Sequence, residues 1–346
     1  MSEAQGKNNL SDVAKSAGVS LTTASLVLSD SGRISAQTRQ RVLDAALSLG
    51  YRHKGKKNED STVPSRNIAV LLDFDLEWEM ALVLVRPVIQ ELDTTLRQAG
   101  YNTIIIPIST SESTTELLEK IRCSHAIGVA TLHFASPELI LLLESADIPV
   151  VVVMNSNFQD RFYTVCADDF QGAYEGACYL IRLGHLCLGY VDCVRPDLAA
   201  LPVDRFFGFK KAIEEYHLEY EDSLRIRLCL EDDEADGLEL AKLVREHPGM
   251  SAIFAMDDEL ALRIVSLLGK QGLSVPKDLS ILAPGDMADY SQGYMPQITT
   301  MRIDTTYMGR ISAQMLISRI THNPQEPQVL KVKQRLVHRE SVRDIR

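Results

Sequence analysis

From Ile68 onward the chain repeats one pattern: a short apolar run, a helix-length amphipathic stretch, then another apolar run. The runs are IAVLL (68–72), TIIIPI (103–108), AIGVA (126–130), PVVVV (149–153), CLGYV (187–191), RIRLCL (225–230), SAIFAM (251–256) and LSILA (279–283). Most are apolar at consecutive positions, so as strands they present apolar side chains to both faces of a sheet. Such strands need helices over both faces and crossovers between parallel neighbours. The stretches 86–99, 136–146, 170–183, 205–216, 238–246 and 259–271 have the length for this. Roughly ten such units exceed one sheet of ordinary size. The expected body is α/β: two doubly wound parallel-sheet subdomains, with a ligand crevice between them at the carboxyl ends of the strands.

The first fifty residues follow a helical period instead. Leu10, Val13, Ala14 and Ala17 share one face, with Asn9 or Ser11 as N-cap and Gly18 as the breaker. Ser20 is a natural N-cap for a second helix through Leu28, and Ser35 for a third through Leu49. In the third, Val42, Ala45, Ala46 and Leu49 form the inward stripe and Gly50 is a fitting stop. Two helices joined by a tight Gly-containing turn, with a third across them, describe an all-α helix-turn-helix head; a plain three-helix bundle has the same period. Residues 52–67, RHKGKKNEDSTVPSRN, are polar and charged and read as a linker. The expected divisions are a head at 1–51, a linker at 52–67 and a core at 68–346. Within the core, an N-subdomain spans about 68–165 plus 300–320, and a C-subdomain about 166–299 plus 321–346.

Charge separates head from body. Residues 1–66 hold ten Lys/Arg against six Asp/Glu, a net of +4; the whole chain carries −11, which leaves −15 for residues 67–346. An acidic body repels phosphates, so nucleic-acid contact is confined to the head. No apolar run approaches the roughly 20 residues of a membrane span, and the polar opening lacks the apolar segment of a secretory signal. The expectation is a cytoplasmic protein with no membrane partner. The six cysteines (Cys123, Cys166, Cys178, Cys187, Cys193, Cys229) form no CxxC pair and the eight histidines do not cluster, so neither a metal nor a cofactor is expected. EDDEAD (231–236) lacks the glycine and spacing of a calcium loop and reads as a solvated helix start. Gly269 and Gly272 make no phosphate-binding loop after a strand, and no catalytic Ser/His/Asp or Cys/His arrangement occurs, so no enzyme is expected.

The head LSDVAKSAGVSLTTASLVLSDSGRISAQTRQRVLDAALSLGYR resembles the DNA-binding head of the lactose-repressor (LacI/GalR) family, whose pattern D-V-A-x-x-A-G-V-S-x-x-T-x-S stands at 12–25. The body adds LIRLGH (180–185), DRFFGFKKAI (204–213), AIFAMDDELALR (252–263), GLSVPKDLSIL (272–282), PQITTMRID (296–304) and MGRISAQML (308–316), in family order. The resemblance implies a body of periplasmic-binding-protein type and a sequence-specific transcription regulator, a repressor. Its partners would be a palindromic double-stranded DNA operator, a small effector such as a sugar, and a second copy of the chain. The dimer would be built from the core, near the apolar faces of 86–96 and 308–320.

In the family the second helix enters the major groove. That puts Leu21, Thr22 and Leu26 at base edges, with Leu10 and Arg33 as further base contacts, and gives Thr23, Ser25, Ser29, Ser35 and Thr38 the phosphates, which position without specifying. Leu21 and Leu26 have no hydrogen-bonding group. They can meet thymine methyls or exclude mismatched polar edges, while Thr22 adds one bond and Arg33 is the candidate for guanine. The alternative for the leucines is the head's own core, although Val19, Ala24, Val27 and Leu28 already make an inward stripe.

The chain also departs from the family. Where members carry a hinge helix whose leucine wedges into the minor groove, the matching residue is Asp60, a carboxylate that phosphates and desolvation oppose. In the ligand crevice Arg205 and Asp257 match effector-contacting positions. The usual stacking aromatic is replaced by Asp232, and the first Asp of the G-[FY]-D-D turn by Gly285, leaving Asp286 as the second. Asp73, Phe74 and Trp78, in a longer segment after the first strand, are the candidates to line the crevice from the other side; Trp78 equally suits a plain surface or dimer role. These departures keep a second reading open, a DNA-binding regulator whose core answers to a protein partner or to no ligand. A transporter's solute-binding protein fits the body but not the head.

Overall fold

The computed structural model of the chain describes all residues except 1–8, 30–33, 50, 52–64, 74–78, 110, 134–135, 158, 195–202 and 323–325. In chain order the elements are α1 (Leu10–Ala17), α2 (Leu21–Leu28), α3 (Ala36–Leu49), β1 (Asn67–Asp73), α4 (Glu79–Gln98), β2 (Asn102–Ile108), α5 (Thr114–Cys123), β3 (Ala126–Leu132), α6 (Pro137–Ser145), β4 (Val150–Val153) and β5 (Thr164–Ala167). The chain continues through α7 (Asp169–Arg182), β6 (Leu188–Cys193), α8 (Val203–Glu215), β7 (Arg225–Leu228), α9 (Asp233–Glu246), β8 (Ala252–Ala255), α10 (Asp258–Lys270), β9 (Ser280–Gly285), β10 (Thr299–Arg302), α11 (Thr305–His322), β11 (Val329–Val332) and β12 (Arg335–Val337).

The strands form two six-stranded sheets, ordered β11-β5-β4-β3-β1-β2 and β12-β10-β9-β8-β6-β7. The ladders β1/β2, β1/β3, β3/β4, β4/β5, β6/β7, β6/β8, β8/β9 and β9/β10 are parallel, and β10/β12 is antiparallel. Burial follows the reading of the apolar runs: Ile68 to Leu71 of β1, all of β4 and all of β6 are buried at consecutive positions. Helices start where side chains cap them. Ser113 and Glu116 form a capping box on α5, Ser136 precedes Pro137 at the start of α6, and Asp168 and Asp257 cap α7 and α10.

The chain divides into two compact units. One holds the described residues of 1–77, 89–165 and 309–329, the other those of 78–88, 166–308 and 330–346. In the first, a buried ion pair joins α11 to α6: Arg319 Nη1 donates to Glu144 (2.8 Å) and to the Val150 carbonyl (2.6 Å), and the guanidinium lies 4.0 Å from the centre of the Tyr163 ring. The three-helix head belongs to this unit. Its buried residues run into the apolar cluster of Leu139, Leu142 and Leu143, and Ser145 Oγ donates to the Leu28 carbonyl (2.9 Å) at the end of α2.

Several boundaries differ from the sequence reading. The predicted linker reached residue 67, yet Asn67 opens β1, Asn102 N donates to the Arg66 carbonyl (2.8 Å) and Ser65 Oγ to the His125 carbonyl (2.5 Å). Residues 300–302, expected in the first subdomain, belong to β10 in the second sheet, between β9 and β12. Conversely, β11 pairs in the first sheet, where Thr164 N donates to the Gln328 carbonyl (3.0 Å). Strands of three or four residues carrying Thr, Arg and Lys have too few apolar positions to announce themselves. The apolar faces expected to build a dimer are largely used within the protomer: Val88, Leu92, Leu96, Met308 and Leu316 are all buried in the single chain.

Removing one member of the Arg319–Glu144 pair strands the other charge in the core. Arg319→Met is therefore expected to lose about 3–5 kcal/mol of stability, and Arg319→Met with Glu144→Gln to recover part of it. Urea unfolding of both variants checks this.

Candidate DNA-binding head and ligand site

The head is assembled by caps and one arginine. Asn9 Oδ1 accepts from Ser11 N (2.8 Å) and Asp12 N (3.2 Å), and Asp12 Oδ2 accepts from Asn9 N (2.9 Å), closing a capping box on α1. The turn into α2 needs Gly18 at φ 63, a left-handed conformation a side chain resists. Arg41 of α3 reaches across this turn and donates to the Ala17 carbonyl, and a Cβ on Gly18 would come within 2.8 Å of the same guanidinium. Ser20 Oγ then accepts from Thr23 N (3.0 Å), starting α2 directly after the turn.

These constraints decide which side of α2 faces out. Ala24, Val27 and Leu28 are buried; Leu21 (52% exposed), Leu26 (36%) and Thr22 are not. Leu10 is half-buried and packs on the apolar cluster under the head, which differs from its expected place at a base edge. Among the expected phosphate contacts, the Thr23 hydroxyl pairs with Ser20 Oγ (2.7 Å), Ser29 Oγ donates to the Ser25 carbonyl (2.7 Å) and Ser35 Oγ to Thr38 Oγ1 (2.9 Å). Ser25 has no side-chain partner among the described residues. Thr38 keeps its own hydroxyl hydrogen, since Ser35 is the donor between them. Arg33, Asp60 and the rest of 52–64 lie outside the described residues.

In the second unit, polar side chains gather where β8 and β9 end. Arg205 of α8 donates from Nε to Asp169 Oδ1 (2.9 Å) and from Nη1 to the Met256 carbonyl (2.7 Å), leaving Nη2 without a partner among the described residues. Gln334 Nε2 holds the same Asp169 oxygen (3.0 Å). Burial opposes the Arg205 charge, yet Asp169, Asp257 and the Asp169 hydrogen bond outweigh it and raise its pKa, so it stays a cation. Asp257 sits one residue beyond Met256, capping α10 through Leu260 N (2.8 Å).

Its neighbour Asp258 is fully buried. One carboxylate oxygen accepts from Met287 N (2.8 Å), Ala288 N (3.0 Å) and Tyr290 Oη (3.0 Å); the other, Oδ1, has no partner. A Cβ on Gly285, at φ 125, would fall 2.3 Å from that Oδ1. Asp258 thus occupies the space that a side chain at 285 would need, which accounts physically for glycine at this position. Burial, with Asp257 adding to it, pushes the Asp258 carboxyl up to about 6. Asp286 is bound by Thr300 Oγ1 (2.8 Å), Arg339 Nη2 (2.6 Å) and Arg302, and these bonds outweigh its burial to lower its pKa.

Asp232, at the position of the family's stacking ring, is the N-cap of α9, accepting from Glu234 N (2.9 Å) and Ala235 N (3.1 Å). Phe74 and Trp78 lie outside the described residues, and of Asp73 only the backbone, the last residue of β1, is described. Sequence reasoning missed Asp169, Gln334 and Asp258. The doublet Asp168–Asp169 after β5 was a legible helix-start signal, whereas nothing local marks Gln334 as a partner of Asp169. It also missed His133 at the end of β3 in the first unit, held neutral by burial with its pKa pushed down to about 4 and its Nε2 unpartnered. Among the described residues no group of His, Cys, Asp and Glu could hold a metal, and no helix is long and apolar enough to cross a membrane.

A helix-turn-helix head joined to a body of two parallel sheets with polar groups at the strand ends defines a class, the one-chain transcription regulators. Residues 9–53 match the family model for bacterial regulatory proteins of the lacI family, and residues 177–342 that for a periplasmic binding protein-like domain. Curated relatives include the HTH-type transcriptional repressor PurR of Haemophilus influenzae (strain PittEE), 27% identical over 345 residues and covering 97% of this chain and 99% of the relative. That of Histophilus somni (strain 129Pt) is 25% identical over 341 residues, with coverage of 97% and 99%. Among solved structures, the regulator CelR in complex with cellobiose aligns with TM-score 0.68 at 24% identity, over 96% of this chain and 99% of that one. The lac repressor dimer bound to operator aligns with TM-score 0.65 at 19% identity, over 98% and 100%. Residues 9–53 thus carry the DNA-binding head of the lacI family of bacterial regulatory proteins, and the chain is a DNA-binding transcription regulator.

The raised Asp258 value has a thermodynamic sign. A carboxyl that holds its proton more tightly folded than unfolded contributes stability below its unfolded value of about 3.9, and this is lost as pH rises through about 6. The stability of wild type minus that of Asp258→Asn should therefore fall between pH 4.5 and 7.5, by about 2 kcal/mol. Guanidinium unfolding at the two pH values measures it.

Proposed function

We propose that the protein is a cytoplasmic, homodimeric repressor that binds a palindromic operator through α2 and is controlled by a small neutral polyhydroxylated molecule. Leu21, Thr22 and Leu26 meet the base edges, and Ser25 and Thr38 offer hydroxyls to the phosphates. One head presents little surface, and two heads on a symmetric site gain affinity through effective concentration. The head at 9–53 and the two-sheet body act as separate modules of one regulator.

The effector site in this reading is at the strand ends of the second sheet, with Arg205 and Asp257 as its contacts. The observation that carries it is the open Nη2 of an Arg205 whose charge Asp169 already balances. Asp257 lies close enough to raise the Arg205 pKa further. Such a group donates to hydroxyl oxygens while the carboxylates accept from hydroxyl hydrogens, and the surplus of negative charge disfavours phosphates and carboxylates. The cellobiose of the CelR complex is a molecule of this class. Glycine at 285 and a capping Asp232 instead of a stacking ring favour a second reading, in which the body answers to a protein partner.

A thermal-shift panel of mono- and disaccharides, polyols, sugar phosphates and small carboxylates separates the two. The expected result is a neutral sugar or polyol that raises the melting midpoint of the wild type, by an amount equivalent to about 2.7 kcal/mol at a hundredfold excess over Kd. Arg205→Lys, which keeps the charge over Asp169 but loses the planar fork, should lose that shift. No shift across the panel contradicts the small-molecule reading and supports the partner.

A further inference from the structure

Thr22 and Leu26 stand one turn apart on α2, with Leu21 beside them in the first turn. All three are exposed, although the head has an apolar core close by to receive leucines. The helix LTTASLVL contains no Arg, Lys, Asn, Gln, Asp or Glu, so it cannot form a two-bond pair with guanine or adenine. Its hydroxyls are also largely committed: Thr23 pairs with the Ser20 cap, and Ser29 beyond the helix donates to the Ser25 carbonyl. The outward face of this helix therefore carries two leucines and the hydroxyls of Thr22 and the half-buried Ser25, the latter assigned above to the phosphates.

In the major groove every base edge presents hydrogen-bonding groups, and the one apolar group is the C5 methyl of thymine. A leucine set against a polar edge would strip water from it without replacing the bond, whereas one set against a methyl removes apolar surface from water. We infer that the half-site is read by α2 through C5 methyl groups under Leu21 and Leu26, so that this helix selects methylated pyrimidine edges and not a guanine or adenine hydrogen-bond pair. This rests on the reading of α2 as the groove-binding helix. The same chemistry makes 5-methylcytosine, with its methyl in the same place, a partial substitute for thymine.

The test uses full-length protein and duplexes enriched by repeated selection from a random double-stranded library, resynthesised with deoxyuridine for thymidine at one position at a time. Binding read by fluorescence anisotropy should weaken about fourfold for each methyl removed under a leucine. In Leu21→Ala or Leu26→Ala the thymine-to-uracil difference at the matching position should vanish. These side chains are exposed, so the variants should melt as the wild type does. At the same positions a 5-methylcytosine pair should bind more tightly than an unmethylated cytosine pair. Duplexes fully substituted with uracil that bind as tightly as their thymine parents overturn the inference while leaving the DNA-binding reading intact. A library that yields no enriched sequence overturns that reading and the inference with it.

Discussion

Strands buried on both faces have no side chains to offer to chemistry along their length. In this chain Ile68 to Leu71, Val150 to Val153 and Leu188 to Cys193 face helices or neighbouring side chains at every position. Polar function is thereby displaced to strand ends and helix starts, where backbone groups are open and side chains can converge. Arg205, Asp169, Met256, Asp257 and Gln334 meet at such a place, brought from two helices, the end of β8 and the segment before β12. The Asp258–Gly285 arrangement follows from the same crowding. One residue lacks a side chain because another's carboxylate fills its space.

The head obeys a different constraint. Helices of eight residues, as α1 and α2 are, fall below the roughly 12–15 residues at which an isolated helix becomes marginally stable. They persist because caps and tertiary contacts hold them: the Asn9–Asp12 box, Ser20, Arg41 across the turn, and the core shared with α3. Those devices use the inward face and the ends of α2, leaving Leu21, Thr22 and Leu26 as the surface available to a partner. The Ser145 bond to the Leu28 carbonyl satisfies one of the open acceptors at the helix end, tying the head to α6.

The three head helices were legible almost to the residue, because their caps and breakers (Asn9, Gly18, Ser20, Ser35) are local signals. The long apolar strands were legible for the same reason. The short strands β5, β10, β11 and β12 were not, since their place depends on partners distant in sequence. Arg205 and Asp257 were named from family resemblance, and the structure shows what holds them. The Asp169–Arg205 and Asp169–Gln334 contacts and the Arg319–Glu144 pair join residues 36 to 175 positions apart and leave no trace in local pattern. Leu10 shows the opposite limit: one position in a helical stripe does not reveal whether a side chain packs inward or reaches outward.

The central claim is sequence-specific DNA binding by a small basic head on an acidic body. The most direct measurement is the dissociation constant of the full-length protein for an enriched duplex and for a scrambled duplex of equal length, across a salt series. Both affinities should fall steeply with salt, as phosphate contacts require, with the enriched duplex bound at least about a thousandfold more tightly near physiological salt. Equal affinities for the two duplexes at every salt concentration would contradict the account.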